Sequence, residues 1–123
     1  MGKKRLMVID DSRMMELQIQ KLLEGSEFEV AAYCENGEEA IECYGAIHPD
    51  ITTIDIIMPG IDGLETARVI LEEHPDAKIV MVSSMTDDAS LNEAENLGAK
   101  GFLNKPITRE TLLEVLDQVL AGE

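Results

Sequence analysis

Near its start the chain reads Leu6-Met7-Val8-Ile9-Asp10-Asp11, a short apolar run that ends in two carboxylates. A run that is apolar on both faces is typical of a strand buried inside a parallel sheet. Four more short runs follow, beginning at Glu29, Ile51, Ile79 and Gly101. Between the runs, apolar residues recur every three to four positions, as they do on one face of a helix. The pattern therefore predicts five successive β–α units.

Turn and capping residues mark the ends of the helical segments. Gly25, Pro49 and Pro75 follow three of the apolar stripes, where glycine and proline stop a helix. Asn36 and Thr108 precede two other stripes and are residue types that cap helix N-termini. Five such units predict an α/β fold: an open, doubly wound parallel sheet with helices on both faces, joined by right-handed crossovers. In such a sheet the ligand site lies at the carboxyl ends of the strands.

Length and charge narrow the classes of function. The chain has 123 residues, which suits one domain over residues 1–123. Its formal charge of −15 repels nucleic-acid phosphates and anionic lipids, so we expect neither direct nucleic-acid binding nor membrane insertion. Lys3, Lys4 and Arg5 precede only four apolar residues, too few for a signal peptide. We expect these three residues to form a solvated lead-in to the first strand.

The chain has two cysteines, Cys34 and Cys43. Their spacing matches neither a disulfide framework nor a common metal-ligand pattern. They predict two reduced thiols in a cytoplasmic protein.

Five side chains that can bind a metal ion or a phosphoryl group are predicted to lie at the carboxyl ends of the strands. Asp10 and Asp11 follow the first strand, Asp55 the third and Ser83 the fourth, while Lys105 comes directly after the fifth. Three converging carboxylates repel one another unless a cation lies between them, and oxygen ligands suit Mg²⁺. The lysine can neutralise an incoming phosphoryl oxygen, although a structural ion pair is the alternative explanation.

These residues belong to a set of short motifs that occur in a fixed order along the chain. They are Val8-Ile9-Asp10-Asp11-Ser12, Pro49-Asp50 with Asp55 five residues on, Met58-Pro59-Gly60-Ile61-Asp62-Gly63, Val82-Ser83-Ser84, and Gly98-Ala99-Lys100-Gly101-Phe102 leading to Lys105-Pro106. Together they resemble response-regulator receiver domains, particularly the stand-alone chemotaxis regulators. The resemblance implies a flavodoxin-like sheet of strand order 2-1-3-4-5. It also implies a single receiver with no output domain in this chain, although a piece excised from a longer regulator would read the same.

The resemblance implies a role for each site residue. Asp55 would accept the phosphoryl group, and Lys105 would pair with one of its oxygens. Mg²⁺ would be bound directly by Asp11, partly through water by Asp10, and also by Asp55 and by the backbone carbonyl of Ile57. Mn²⁺ or Ca²⁺ would be able to replace it in crystals.

Two further residues would convey the signal. Ser83 would bond the phosphoryl group once it is in place, and Phe102 would be the switch aromatic that turns inward on activation. The surface formed by the fourth helix, fifth strand and last helix would then change as a shift between two packed states.

The resemblance further implies a signalling domain that is not an enzyme, apart from assisting its own phosphorylation and slow dephosphorylation. The expected partners are a sensor histidine kinase or phosphotransfer protein and an unidentified downstream protein, in chemotaxis or another pathway. We expect a monomer, with dimerisation through the last helix on activation as an alternative.

Three other classes of protein are alternatives to a phosphorylatable receiver domain. A Mg²⁺-dependent phosphatase or phosphotransferase with an aspartate nucleophile usually carries Asp-x-Asp, whereas Asp55 is followed by Ile56-Ile57. A flavodoxin-like electron carrier needs a phosphate-cradling loop and aromatic residues, which are scarce in this chain. A degenerate receiver that only binds partners is disfavoured by the complete acidic set with Ser83 and Lys105.

Two apolar residues lie close in sequence to the expected site residues. Ile57 comes two positions after Asp55, and Met85 comes two positions after Ser83. In the family that this chain resembles, these side chains flank the path of the hydrolytic water. Neither side chain can orient a water molecule, and both can shield the phosphoryl group from one. The sequence therefore predicts a comparatively long-lived phosphoryl group, with simple packing of the rim as the alternative.

Overall fold

In a computed structural model, which describes residues 2–84 and 88–122, five strands and five helices alternate along the chain. The strands are β1 Lys4–Ile9, β2 Phe28–Cys34, β3 Ile51–Asp55, β4 Ile79–Ser83 and β5 Gly101–Asn104. The helices are α1 Arg13–Leu22, α2 Gly37–Ile47, α3 Gly63–Glu73, α4 Asp88–Leu97 and α5 Arg109–Ala121. All neighbouring strands are parallel, in the order β2-β1-β3-β4-β5. The predicted doubly wound fold and strand order are confirmed.

The sheet separates two hydrophobic cores, because successive side chains of a strand point to opposite faces. In β1, Met7 and Ile9 belong to the core beneath α2, α3 and α4, while Leu6 and Val8 belong to the core beneath α1 and α5. These four side chains are at most 1% exposed. Both faces of the central strands are therefore buried, which explains why their sequences read as continuous apolar runs.

Capping side chains hold the starts of four helices. Asn36 accepts a hydrogen bond from the backbone of Glu39, and Thr108 forms a capping box with Thr111, so both predicted caps are confirmed. Two further caps were not predicted from the sequence: Ser12 at α1 and Asp62 at α3. Both follow loops that begin at strand ends, so they set the directions in which the chain leaves the carboxyl edge of the sheet.

The prediction of a solvated lead-in was wrong for Arg5, which is half-buried in β1. Its guanidinium donates to the carbonyls of Ile47 and His48 at the end of α2, at 2.5 and 2.8 Å. Its backbone amide donates to Asp50 at 2.7 Å. A long cationic side chain can donate to the unpaired carbonyls at a helix C-terminus. These hydrogen bonds hold Arg5 against the end of α2, so it is not exposed as expected for an arginine near a chain terminus.

The strand register decides which side chains meet at the carboxyl edge. Ile9, the last residue of β1, pairs with Ile54, so Asp10 leaves β1 beside Asp55 at the end of β3. Further across the sheet, Ser83 pairs with Asn104. Within the residues described, no helix is long and apolar enough to cross a membrane.

Candidate functional site

Three carboxylates meet at the carboxyl ends of β1 and β3. Asp10, Asp11 and Asp55 each place one carboxylate oxygen within 4.8 Å of the others. Asp10 and Asp55 are buried, at 3% and 7% exposure, and Asp11 is exposed. One side of the cluster therefore lies in the protein interior and the other faces solvent. This arrangement can hold a small divalent cation and leave room for a ligand from outside.

Lys105 brings a positive charge to the two buried carboxylates. Its Nζ lies 3.1 Å from Asp55 Oδ2 and 3.5 Å from Asp10 Oδ2. The chain reaches this position because the Lys105 amide donates to the carbonyl of Ser83 at 2.9 Å, extending the pairing of β5 with β4. Partial burial of the ammonium works to lower the pKa of Lys105, but the Asp10 and Asp55 carboxylates outweigh it and hold that pKa above its ordinary value.

Burial raises the pKa of Asp10, and the nearby Asp55 carboxylate raises it further. The Ser12 amide, which donates to Asp10 Oδ1 at 2.8 Å, and the Lys105 ammonium oppose this effect. Three carboxylates face one ammonium, so the cluster keeps an excess of negative charge in a partly desolvated place. A divalent cation bound by oxygen ligands would relieve that excess, which is the physical basis for a Mg²⁺ site here.

The loop after Asp55 turns sharply beneath the cluster. The amide of Ile57 donates to Asp55 Oδ1 at 3.2 Å, and the amide of Gly63 donates to the carbonyl of Ile56 at 2.7 Å. A Cβ atom at Gly63 would lie only 2.0 Å from the Asp55 carbonyl oxygen, so only glycine fits this close approach. The backbone of Ile57 thus lies at the cluster, while its side chain is 58% exposed.

The hydroxyl-bearing residue lies at the same edge of the sheet. Ser83 ends β4, is 2% exposed, and follows Val82, which pairs with Asp55. Its neighbour Ser84 is exposed. Met85, which the sequence analysis placed beside the site, lies outside the described residues.

Among the predicted site residues that the structure describes, Phe102 is the one that lies away from the carboxylates. It pairs with Met81 in the sheet and packs, half-buried, against the core beneath α2, α3 and α4. It also lines a cavity of about 170 Å³ between α4 and β5. The neighbouring cavity gives this ring space on the side of α4.

An open cleft of about 550 Å³, which was not predicted from the sequence, adjoins the carboxylates on the α2 side. It is lined by Asp11, Glu35, Asn36, Glu38, Pro59 and Gly60. The cleft exists because the start of α2 lies beside the loop that follows β3. No local signal in the sequence indicates that proximity.

Comparisons with protein families and with curated proteins both identify response-regulator receivers as similar to this chain. The response regulator receiver domain family matches residues 6–117. The chemotaxis protein CheY of Listeria monocytogenes is 40% identical over 114 residues, covering 93% of this chain and 96% of that protein. CheY of Thermotoga maritima is 37% identical over 119 residues, covering 97% of this chain and 98% of that one.

A solved structure shares the fold over almost the whole chain. The CheX–CheY–BeF3–Mg²⁺ complex of Borrelia burgdorferi matches with a TM-score of 0.92 and 26% identity, covering 99% of this chain and 92% of that one.

Proposed function

Because the chain belongs to the response regulator receiver family, we propose that it is a phosphorylatable regulator that accepts a phosphoryl group on Asp55. The observation that carries this proposal is the meeting of Asp10, Asp11 and Asp55 with the Lys105 ammonium at one edge of the sheet. A Mg²⁺-dependent phosphatase is not favoured, since the family is one of signalling domains.

The chemistry asks mainly for positioning and for charge stabilisation. An Asp55 carboxylate oxygen attacks phosphorus in line, and the bond from phosphorus to the donor atom breaks. Asp10, Asp11, Asp55 and the carbonyl of Ile57 would hold Mg²⁺, which would neutralise negative charge on the transferred group. The Ile57 amide donates to Asp55 Oδ1 and so fixes the orientation of this carboxylate. The solved Borrelia relative that carries Mg²⁺ and BeF3 supports this choice of cation.

The Lys105 ammonium stabilises the negative charge on the phosphoryl oxygens. It already lies 3.1 Å from Asp55, so no large movement is needed when the group arrives. Once the phosphoryl group is in place, the Ser83 hydroxyl bonds to one of its oxygens. As Ser83 moves towards the phosphoryl group, it leaves space that the Phe102 ring can fill. The surface of α4, β5 and α5 then changes by a shift between two packed states.

The donor is a sensor histidine kinase or a phosphotransfer protein, and the readout is the binding of a downstream protein. Chemotaxis is the pathway that the CheY relatives suggest. We propose that the chain acts as a monomer, with dimerisation through α5 on activation as the alternative. Direct binding to nucleic acid is not expected from its formal charge of −15.

Incubation with acetyl phosphate and Mg²⁺, followed by intact mass, tests the phosphoryl acceptor. We expect one phosphoryl adduct on the native chain, none on Asp55→Asn, and a normal adduct on Asp117→Asn, which changes an exposed carboxylate of α5. An adduct of equal yield on Asp55→Asn would overturn the assignment. Release of phosphate from small phosphomonoesters without an adduct would favour the phosphatase.

Titration with Mg²⁺ tests the metal site separately. We expect Asp11→Ala to bind Mg²⁺ more weakly than the native chain, whereas Asp117→Ala keeps the native affinity. Equal affinities of Asp11→Ala and the native chain would show that the cation binds elsewhere.

A further inference from the structure

Glu38 belongs to the cleft that adjoins the carboxylates. The cleft has a volume of about 550 Å³, and its lining includes Asp11, Glu38, Pro59 and Gly60. It separates the first turn of α2, which carries Glu38, from the loop that follows β3. Asp11 and Glu38 are both exposed. The two carboxylates therefore share one space that is open to solvent.

Two glycines fix the place of Glu38. At Gly37, the first residue of α2, a Cβ atom would lie 2.0 Å from Thr66 Oγ1 and 2.8 Å from the Ile61 side chain, so the start of the helix packs directly against the segment that follows β3. At Gly60, whose φ is +79°, a Cβ atom would lie 3.0 and 3.3 Å from the two carboxylate oxygens of Glu38. The carboxylate therefore lies against the bare backbone of Gly60.

The Glu38 carboxylate lies outside the group of oxygens that can share one cation. Among the residues that the structure describes, the acidic side chains with oxygens within 4.8 Å of one another are Asp10, Asp11 and Asp55. Within those same described residues, no hydrogen bond or ion pair occupies the Glu38 carboxylate. Both of its oxygens can therefore accept hydrogen bonds from water in the cleft.

We propose that Glu38 is a positioning residue for Mg²⁺, which accepts a hydrogen bond from a water molecule that the bound cation keeps. Mg²⁺ dehydrates reluctantly and usually keeps several waters. The exposed side of the cation site, at Asp11, opens onto the cleft, so waters kept on that side are stabilised by the Glu38 carboxylate. Partners of this outer kind change metal affinity by about 10- to 100-fold. The role given to Glu38 rests on the proposed function, because it takes the cation among the three aspartates as given.

A carboxylate also attracts a cation through its charge alone, and a matched variant separates that effect from a hydrogen bond. Glu42 lies four residues after Glu38 in α2, is exposed, and is not part of the lining of the cleft. Glu42→Gln therefore removes the same charge from the same helix as Glu38→Gln does, but away from the cleft.

Calorimetric titration of the unphosphorylated full chain with Mg²⁺ tests the proposal. We expect Glu38→Gln, which keeps the size of the side chain and loses its charge, to raise the Kd about 10-fold. Glu42→Gln should keep the Kd within about 2-fold of the native value, since its charge is exposed and screened. In the Asp11→Ala background, Glu38→Gln should have a smaller effect, because both residues act on the same cation.

The NMR signal of the Ile57 amide separates this role from a structural one. That amide donates to Asp55 Oδ1, so its chemical shift reports the loop after β3. Without Mg²⁺, the shift in Glu38→Gln should match that of the native chain, and a displaced signal would show that Glu38 only shapes the loop. Equal Kd values for Glu38→Gln and Glu42→Gln would overturn the role of Glu38 and leave the metal site standing. Native affinity in Asp11→Ala would overturn the metal site itself, and the role of Glu38 with it.

Discussion

The Nζ atom of Lys105 lies 3.1 Å from Oδ2 of Asp55, although fifty positions separate the two residues in the chain. The contact depends on the carboxyl ends of β3 and β5 lying at the same edge of the sheet, with β4 between them. An ammonium held in this place before the donor arrives needs no reorganisation during the reaction.

Replacing Lys105 with glutamine should slow the phosphorylation of Asp55. The amide keeps much of the side-chain length but removes the charge that stabilises the phosphoryl oxygens, so we expect a rate about 10²-fold lower. The measurement is the initial rate of adduct formation with acetyl phosphate, by intact mass. Lys100→Gln, which changes an exposed lysine before β5, is the control and should react at the native rate. Equal rates for both variants would show that the Lys105 contact is only structural.

Without Mg²⁺, the unfolding free energy should depend on the ionisation of Asp10. Burial raises the pKa of Asp10 above its ordinary value of 3.8, so the folded chain holds this proton more tightly than the unfolded chain does. The resulting contribution to stability is present at low pH and is lost as pH rises through the raised pKa. Asn at position 10 cannot ionise, and Lys105 keeps Asp55 as its partner.

We therefore expect Asp10→Asn to gain stability relative to the native chain as the pH rises above 3.8, the ordinary pKa of Asp10, in the presence of a chelator. Urea unfolding at several pH values measures this difference. Added Mg²⁺ should stabilise the native chain more than the variant. A difference between the two proteins that does not change with pH would contradict this account.

The side chain of Ile57 should prolong the life of the phosphoryl group. It lies two residues after Asp55, is 58% exposed, and offers no group that can orient a water. Ile57→Asn should therefore lose the phosphoryl group faster, and the double variant with Met85→Glu faster still. The measurement is the decay of the adduct after removal of acetyl phosphate. Leu17→Asn, an exposed apolar residue on α1, controls for a general increase in surface polarity. Unchanged decay in the double variant would refute the prediction.

A methyl group at Gly63 should disturb the loop that carries Asp55. The added Cβ would lie 2.0 Å from the Asp55 carbonyl oxygen, which forces the backbone to move. We expect Gly63→Ala to lower the unfolding free energy by about 1–3 kcal/mol and to slow phosphorylation.

Gly45→Ala is the matched control, because its nearest new contact is an ordinary 3.5 Å to the His74 ring. It lies inside α2, where alanine favours the helix by up to about 1 kcal/mol. Urea unfolding of both variants makes the comparison. If Gly63→Ala were as stable as Gly45→Ala, the loop after Asp55 could accommodate a Cβ atom at position 63, and this account would be wrong.

The fold could be predicted because its signals are local. The apolar run before Asp10 and those that begin at Ile51 and Ile79 reflect strands buried on both faces, and Asn36 and Thr108 mark helix starts wherever the helices later pack. The prediction for Arg5 was wrong because its contact is with the far end of α2, more than forty residues away. The caps at Ser12 and Asp62 were missed although their residue types suited that role.

By itself, the sequence determined the five β–α units and the edge of the sheet to which Asp10, Asp55 and Lys105 belong, since hydrophobic period and turn residues act over a few neighbouring positions. Only the tertiary structure decided how far the Lys105 ammonium lies from the Asp10 and Asp55 carboxylates. Distances of this kind arise from the packing and register of elements that are remote along the chain, and no short segment encodes them.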